Sequence, residues 1–176
     1  WLGAAGGCEA VLAAVQFHAA NAAISHLAWR CVGNLSIDAG NVTLFGRNGA
    51  CEACLEALLM HRDGMQAVLE LCRVISRLAK DPKCRSALLT NDCCTVLVLI
   101  LNLHVENEQV VLQVYKAVFA VSNAHPEGQA RFCACNGCVV LLDTLRLYEQ
   151  SSAAVARWGC VALRGLLIGN ANNQTL

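Results

Sequence analysis

No apolar run in this sequence exceeds six residues, as in Val96 to Leu101, whereas a membrane-spanning helix needs about 20. A membrane span is therefore not expected. Charge is sparse and balanced: 15% of residues are charged, with 13 basic residues against 13 acidic ones. That balance provides no bulk attraction to nucleic acid or anionic membrane. No row of aromatics is present to stack bases, so a nucleic-acid partner is not expected either. Catalytic signatures are also missing. Ser and Asp are scattered, no Gly-rich phosphate loop occurs, and no nucleophile lies beside a base. The chain is read as non-enzymatic and without a cofactor. The opening residues, WLGAAGG, carry neither an initiator Met nor the basic start of a secretory signal, which reads as a piece of a longer protein.

What the chain does have is self-similarity. Gly6 to His18 (GGCEAVLAAVQFH) matches Gly49 to His61 (GACEACLEALLMH) and Asp92 to His104 (DCCTVLVLILNLH) at successive intervals of 43 residues, and Gly137 to Glu149 (GCVVLLDTLRLYE) follows 45 later. A fixed period in this range marks a stacked array of helical repeats. With 56% hydrophobic residues in 176, such an array buries a large core and needs no second domain. A single domain over 1–176 is expected, with units near 1–40, 41–83, 84–127 and 128–170 and a further unit starting at 171–176.

Helical spacing of apolar residues recurs in every unit. The first predicts a helix over 8–18 and a longer one over 22–37 capped by Asn21. Residues 1–7 read as the tail of an incomplete unit. Asp38-Ala39-Gly40 is expected to end the long helix, and 41–46 to form a short helix or turn before Asn48-Gly49 resets the chain. The second unit predicts helices over 51–61, 65–80 and 84–89, with Ala67, Leu71, Val74, Ile75 and Leu78 inward and Asp81-Pro82 as a stop. The third predicts 94–104, then 109–122 behind an Asn107 cap. Its TVLVLIL stretch has the β-branched content of a strand, but its aligned partners have a helical pattern, so a helix is expected. Asn123 to Gly128 is read as a loop holding the two residues by which the last interval is longer, before helices over 138–148 and 152–168. Asn173-Gln-Thr-Leu mirrors Asn41-Val-Thr-Leu, the start of another short helix.

Twelve cysteines suggest disulfides, zinc or packing. Alignment of the copies favours packing. Cys8, Cys51 and Cys94 share a position where the fourth copy has Val139; Cys54 aligns with Val11, Leu97 and Leu142. Cys31 aligns with Val74, Ala117 and Ala162; Cys72 and Cys160 with Trp29 and Tyr115; Cys133 with Phe45 and Leu88. Free Cys packs as a small hydrophobe, and persistent thiols imply the cytoplasm or nucleus. Cys51-x-x-Cys54 and Cys133-x-Cys135-x-x-Cys138 have zinc-like spacing but lack a fourth nearby ligand, so no metal is expected. His18, His61 and His104 recur at the end of the medium helix, where the C-terminal dipole favours them.

A short, a medium and a long helix in each unit of about 42 residues, a medium helix opened by Asn-Gly, and a long helix ending in CVGNLS (Cys31 to Ser36) together resemble the armadillo repeat. HEAT repeats usually lack the separate short helix. The resemblance implies an all-α fold, a right-handed α-solenoid, or superhelix, of armadillo-type three-helix repeats whose long helices line a concave peptide-binding groove. Importin-like members carry a Trp on the long helix and an Asn four residues later. Here the Trp slot holds Arg30, Arg73, Lys116 and Val161, and the Asn slot holds Asn34, Arg77, Ala120 and Gly165. Asn34 alone carries over, as a hydrogen-bond partner for a peptide backbone.

The substituted slots point to a partner. The long-helix segments hold seven basic residues against Glu70 and Glu108, and the medium-helix segments six acidic residues against Arg146. Equal positions in stacked repeats share a face. A basic groove is therefore expected, with Arg30, Asn34, Arg73, Arg77 and Lys116 receiving an extended acidic or phosphorylated protein segment. A structural segment that self-associates through uncapped ends into a homo-oligomer is the alternative, and an importin-like cargo adaptor a further one.

Overall fold

The computed structural model describes residues 6–175, in which every regular element is helical. The expectations for residues 1–5 and for Leu176 lie outside the described residues. The chain forms two compact units, Trp1–Asn91 and Asp92–Leu176. The first holds α1 (Gly7–Phe17), α2 (Ala22–Leu35), α3 (Ala39–Arg47), α4 (Ala50–Met60), α5 (Met65–Leu78) and α6 (Pro82–Thr90). The second holds α7 (Cys93–Leu103), α8 (Glu108–Ser122), α9 (Pro126–Ala134), α10 (Gly137–Tyr148), α11 (Ala153–Leu167) and α12 (Ala171–Gln174). Each unit therefore runs medium, long, short, twice. The long helices pack side by side, α2 on α5 and α8 on α11, and the short helices α3 and α6 pack likewise.

Local chemistry sets the boundaries. Each medium helix follows a residue with left-handed backbone: Gly6 (φ 79°), Gly49 (φ 80°), Asp92 (φ 56°) and Asn136 (φ 61°). Glycine takes that conformation without penalty, and Asn and Asp are the side chains that tolerate it best. Three long helices are capped by a side chain that accepts from a backbone N–H three residues on: Asn21 from Ile24, Asn107 from Val110 and Ser152 from Val155. The short helices are capped by Asp38, Asp81, His125 and Asn170.

These caps correct three expectations. Asp38-Ala39-Gly40 does not merely end a helix; Asp38 accepts from the Asn41 N–H at 3.0 Å and starts α3, so that of the short helix or turn expected over 41–46 a nine-residue helix is found. Asn123 to Gly128 is not all loop, because Pro126 opens α9 at a position where its missing N–H costs nothing. Finally, the two extra residues are not inserted together. One lies before α9, where Ala124 has φ 52°, and the other lengthens α10 to 12 residues against 11 in its counterparts.

The fourth copy therefore starts at Asn136 and not at Gly137, and its alignment moves by one. Cys138, not Val139, occupies the position of Cys8, Cys51 and Cys94. Leu141, not Leu142, is the counterpart of Cys54, and Phe132, not Cys133, that of Phe45 and Leu88. Burial agrees with this shift: Phe132 and Leu141 are fully buried, whereas Val139 and Leu142 are exposed. The TVLVLIL stretch is helical, with Val96, Leu97, Val98, Ile100 and Leu101 buried on α7.

In the first unit the core holds Trp29, Phe45, Leu58, Leu71, Ile75, Leu78 and Leu88; in the second, Leu97, Ile100, Tyr115, Phe132 and Leu141. Two contacts of one kind join adjacent repeats. His61 at the end of α4 meets the Ala19 carbonyl at 2.7 Å, so its Nε2 carries the proton. At the matching place Tyr148, the last residue of α10, donates its hydroxyl to the Val105 carbonyl at 2.9 Å.

Candidate functional site

The candidate face of the first unit is built on α2 and α5. Arg30 and Asn34 lie four residues apart on α2 and are exposed; Arg73 and Arg77 have the same spacing on α5 and are half-buried. This follows from the helical period: the positions between them, Val32 on α2 and Val74 and Ile75 on α5, are fully buried. Between the two pairs lies Gly33. A β-carbon there would stand 3.5 Å from Arg77 Nη1 and 3.8 Å from Arg73 Nε, in ordinary contact, so Gly33 lies directly against both guanidinium groups.

The two arginines differ in their partners. Arg77 Nη1 donates to the Gly33 carbonyl of the adjacent repeat. Arg73 Nη2 pairs with Glu70 one turn earlier, while its Nε–H is buried without a hydrogen-bond partner. Burial lowers the Arg77 pKa from its ordinary value, and repulsion by Arg73 lowers it further against the pull of Glu70. Two cations beside one carboxylate leave an uncompensated positive charge. An orphaned donor in the same cluster favours an incoming anion.

Lys116, in the second unit, meets different chemistry. It is half-buried on α8, its Nζ 5.4 Å from the centroid of the Trp158 ring on α11. Between the same two helices Arg164 Cζ lies 5.8 Å from the Phe119 ring. Both fall within cation–π range. Trp29 is wholly buried, so of the two long-helix tryptophans only Trp158 borders this face.

Residue types at equal positions made the cations legible. The features around them were less so. Glu70 was visible only as an acidic residue three places before Arg73, and nothing in the sequence marked Gly33 as the floor between the arginines. Among the described residues no group of three His, Cys, Asp or Glu converges to hold a metal ion. The recurring His18, His61 and His104 sit at helix ends, each being a C-cap. No single described helix is long and apolar enough to cross a membrane.

No family model matches this sequence, and no curated protein matches it either. Two crystal structures of engineered proteins, both Northeast Structural Genomics Consortium targets, share its fold. One superposes with a TM-score of 0.82 at 16% identity over 96% of this chain and 65% of its own. The other does so with a TM-score of 0.81 at 17% identity over 96% of this chain and 66% of its own. The chain thus spans just under two thirds of the length of each. At such identity the likeness speaks for an all-helical, repeat-like fold and for nothing about ligands.

Proposed function

We propose that this chain is a right-handed α-solenoid segment of armadillo type that binds an extended acidic or phosphorylated protein segment and catalyses nothing. The three-helix unit with its own short helix supports the armadillo type over a two-helix repeat. The observation that carries the binding role is the cluster of Arg73 and Arg77 about Gly33, one donor of which is unpaired. Arg30 extends the cluster outward on α2. Asn34 offers a side-chain amide to a peptide backbone, and Lys116 adds a cation to the long-helix face of the second unit. Arginine suits this task because its planar fork meets carboxylate or phosphate with two hydrogen bonds.

Fluorescence anisotropy tests the proposal with two labelled probes, an Asp/Glu-rich peptide and the same peptide with a phosphoserine. Arg30→Glu, Arg73→Glu and Arg77→Glu together are expected to abolish binding while the far-ultraviolet dichroism of the helices persists. Affinity in the parent chain is expected to fall as salt rises. Undiminished binding by the triple variant, or equal binding of a Lys-rich peptide, would refute it. The second result would instead favour a cargo adaptor for basic segments.

A specific observation favours a second reading, self-association. Cys31 and Cys160 are exposed although their counterparts Val74, Ala117 and Ala162, and Trp29, Cys72 and Tyr115, are fully buried. Light scattering over a hundredfold range of concentration decides; constant monomer mass excludes this reading.

A further inference from the structure

One position on the medium helices carries sulfur in all four repeats: Cys8, Cys51, Cys94 and Cys138. The matching place on the short helix that follows holds Asn41, Cys84, Gly128 and Asn173 in turn. Only α4 and α6 therefore bring a second sulfur to that place. There the two residues meet: Cys51 Sγ donates to the Cys84 carbonyl at 3.6 Å, and Cys84 Sγ donates to the Val42 carbonyl at 3.6 Å. Both are almost wholly buried, at 2% and 1% exposure.

A cavity reaches Cys84. Cys84 lines a cavity of about 180 Å³ between α3 and α6, together with Thr43, Gly46, Arg47, Asp81 and Lys83. Gly46 makes room for the sulfur itself, since a β-carbon there would overlap Cys84 Sγ. Arg47 and Lys83 give the rim two cations against the single carboxylate of Asp81.

We propose that Cys51 and Cys84 form a reversible thiol–disulfide pair, oxidised by a small anionic disulfide of the glutathione type that enters between α3 and α6. The steps balance. Cys84 loses its proton to solvent, and its thiolate attacks one sulfur of the small disulfide, RSSR. A Cys84–S–S–R bond forms and RS⁻ leaves, taking up a proton. Cys51 then loses its proton, its thiolate attacks the Cys84 sulfur, and the Cys51–Cys84 bond closes as the second RS⁻ leaves and is protonated. The protein gives up two electrons and two protons, and RSSR becomes two RSH.

The surroundings make this reaction slow at neutral pH. The neighbouring Cys51 side chain, then burial, then the negative charge of Asp81 push the Cys84 thiol up from its ordinary range, which makes the attacking thiolate scarce. The groups facing it are Arg47 on α3, Cys51 on α4, and Asp81 and Lys83 at the start of α6. The rate therefore rises with pH. The closed bond ties α4 to α6 and shortens the unfolded chain's reach.

The test uses the full chain with Cys31, Cys133, Cys135, Cys138 and Cys160 replaced by Ser, which silences the exposed and half-buried thiols. Oxidised glutathione is added at pH 7 and at pH 9, free thiols are alkylated, and peptides are mapped by mass. A peptide joining Cys51 to Cys84 is expected, forming roughly tenfold or more faster at pH 9. It should be reversed by reductant and absent from Cys84→Ser. It should also raise the unfolding midpoint by roughly 5–15 °C. Should Cys84→Ser fail to fold, Cys51→Ala supplies the same control, and the map of the parent chain decides without either. Full alkylation of Cys51 and Cys84 after oxidation, or a cross-link between other cysteines alone, would overturn the proposal.

Discussion

The long helices of the two units offer the same positions and surround them with different partners. On α2 and α5 the cations meet a carboxylate and a backbone carbonyl, and one guanidinium N–H has no partner. On α8 and α11 they lie over the rings of Trp158 and Phe119. Helix position decides where a side chain stands, but the adjacent repeat decides what it stands against. The proposed anion site rests on the first arrangement, in which a carboxylate neutralises only part of the charge and one donor is orphaned. A cation over a ring contributes to packing and is less committed to a ligand.

The sharpest way to separate the two units uses one position that all share. Cys72 on α5 and Tyr115 on α8 are both fully buried there. Burial pushes the Cys72 thiol up from 9.0 to about 12 and raises Tyr115 above its ordinary value for the same reason. Both groups are protonated in the folded and unfolded chain below pH 9, so neither makes stability depend on pH there. Above it the unfolded chain ionises first, and stability is lost as pH climbs through the folded values. Cys72 should cost about 4 kcal/mol by pH 12, measured by urea unfolding at stepped pH. Cys72→Ala should remove that share of the slope and leave the later decline from Tyr115. An unchanged slope would show that the thiol meets water.

Glycines give the next contrast. A β-carbon at Gly128 in the second unit would stand 2.6 Å from the Val121 carbonyl oxygen, a backbone atom that cannot turn away. Gly128→Ala should lower stability by about 3 kcal/mol. Gly33 in the first unit has ordinary contacts at 3.5 Å or more, so Gly33→Ala should raise stability by up to about 1 kcal/mol through helix propensity. Thermal unfolding reads both, and equal shifts would undo the distinction.

Charge reversal then tests the comparison itself. Arg73→Glu with Arg77→Glu should weaken acidic-peptide binding more than about tenfold, and Lys116→Glu only about threefold, as expected for a cluster against a single cation. Equal losses would mean that both units bind alike. The smallest effect belongs to Trp158→Ala, which removes the ring beneath Lys116 and should cost under about 1 kcal/mol in calorimetry beyond the packing lost.

Much of the helical plan was legible because it rests on short-range rules. Asn21, Asn107 and the Asp81-Pro82 stop follow from capping and from the missing N–H of proline. The overruled strand at TVLVLIL was legible only through its aligned copies. The fourth copy was misplaced by one residue because GC at 137–138 imitates the GAC and GGC of earlier copies, and Val139 is as apolar as Cys138. Only burial separates such candidates, and burial depends on neighbours distant in sequence. The capping roles of Asp38, Asp81 and His125 were missed for a related reason: a residue that stops one helix and starts the next looks, along the chain, like a simple break.

The order of helices, their approximate ends and the recurrence of cations along the long helices belong to the sequence itself, since period, caps and left-handed residues act within a few positions of the chain. The meeting of Arg73 and Arg77 about Gly33, the ring under Lys116 and the contact of Cys51 with Cys84 belong to the tertiary structure. Each joins residues about 30 to 45 positions apart, and only the packing of one repeat on the next brings such distant side chains within reach of a hydrogen bond or a ring face.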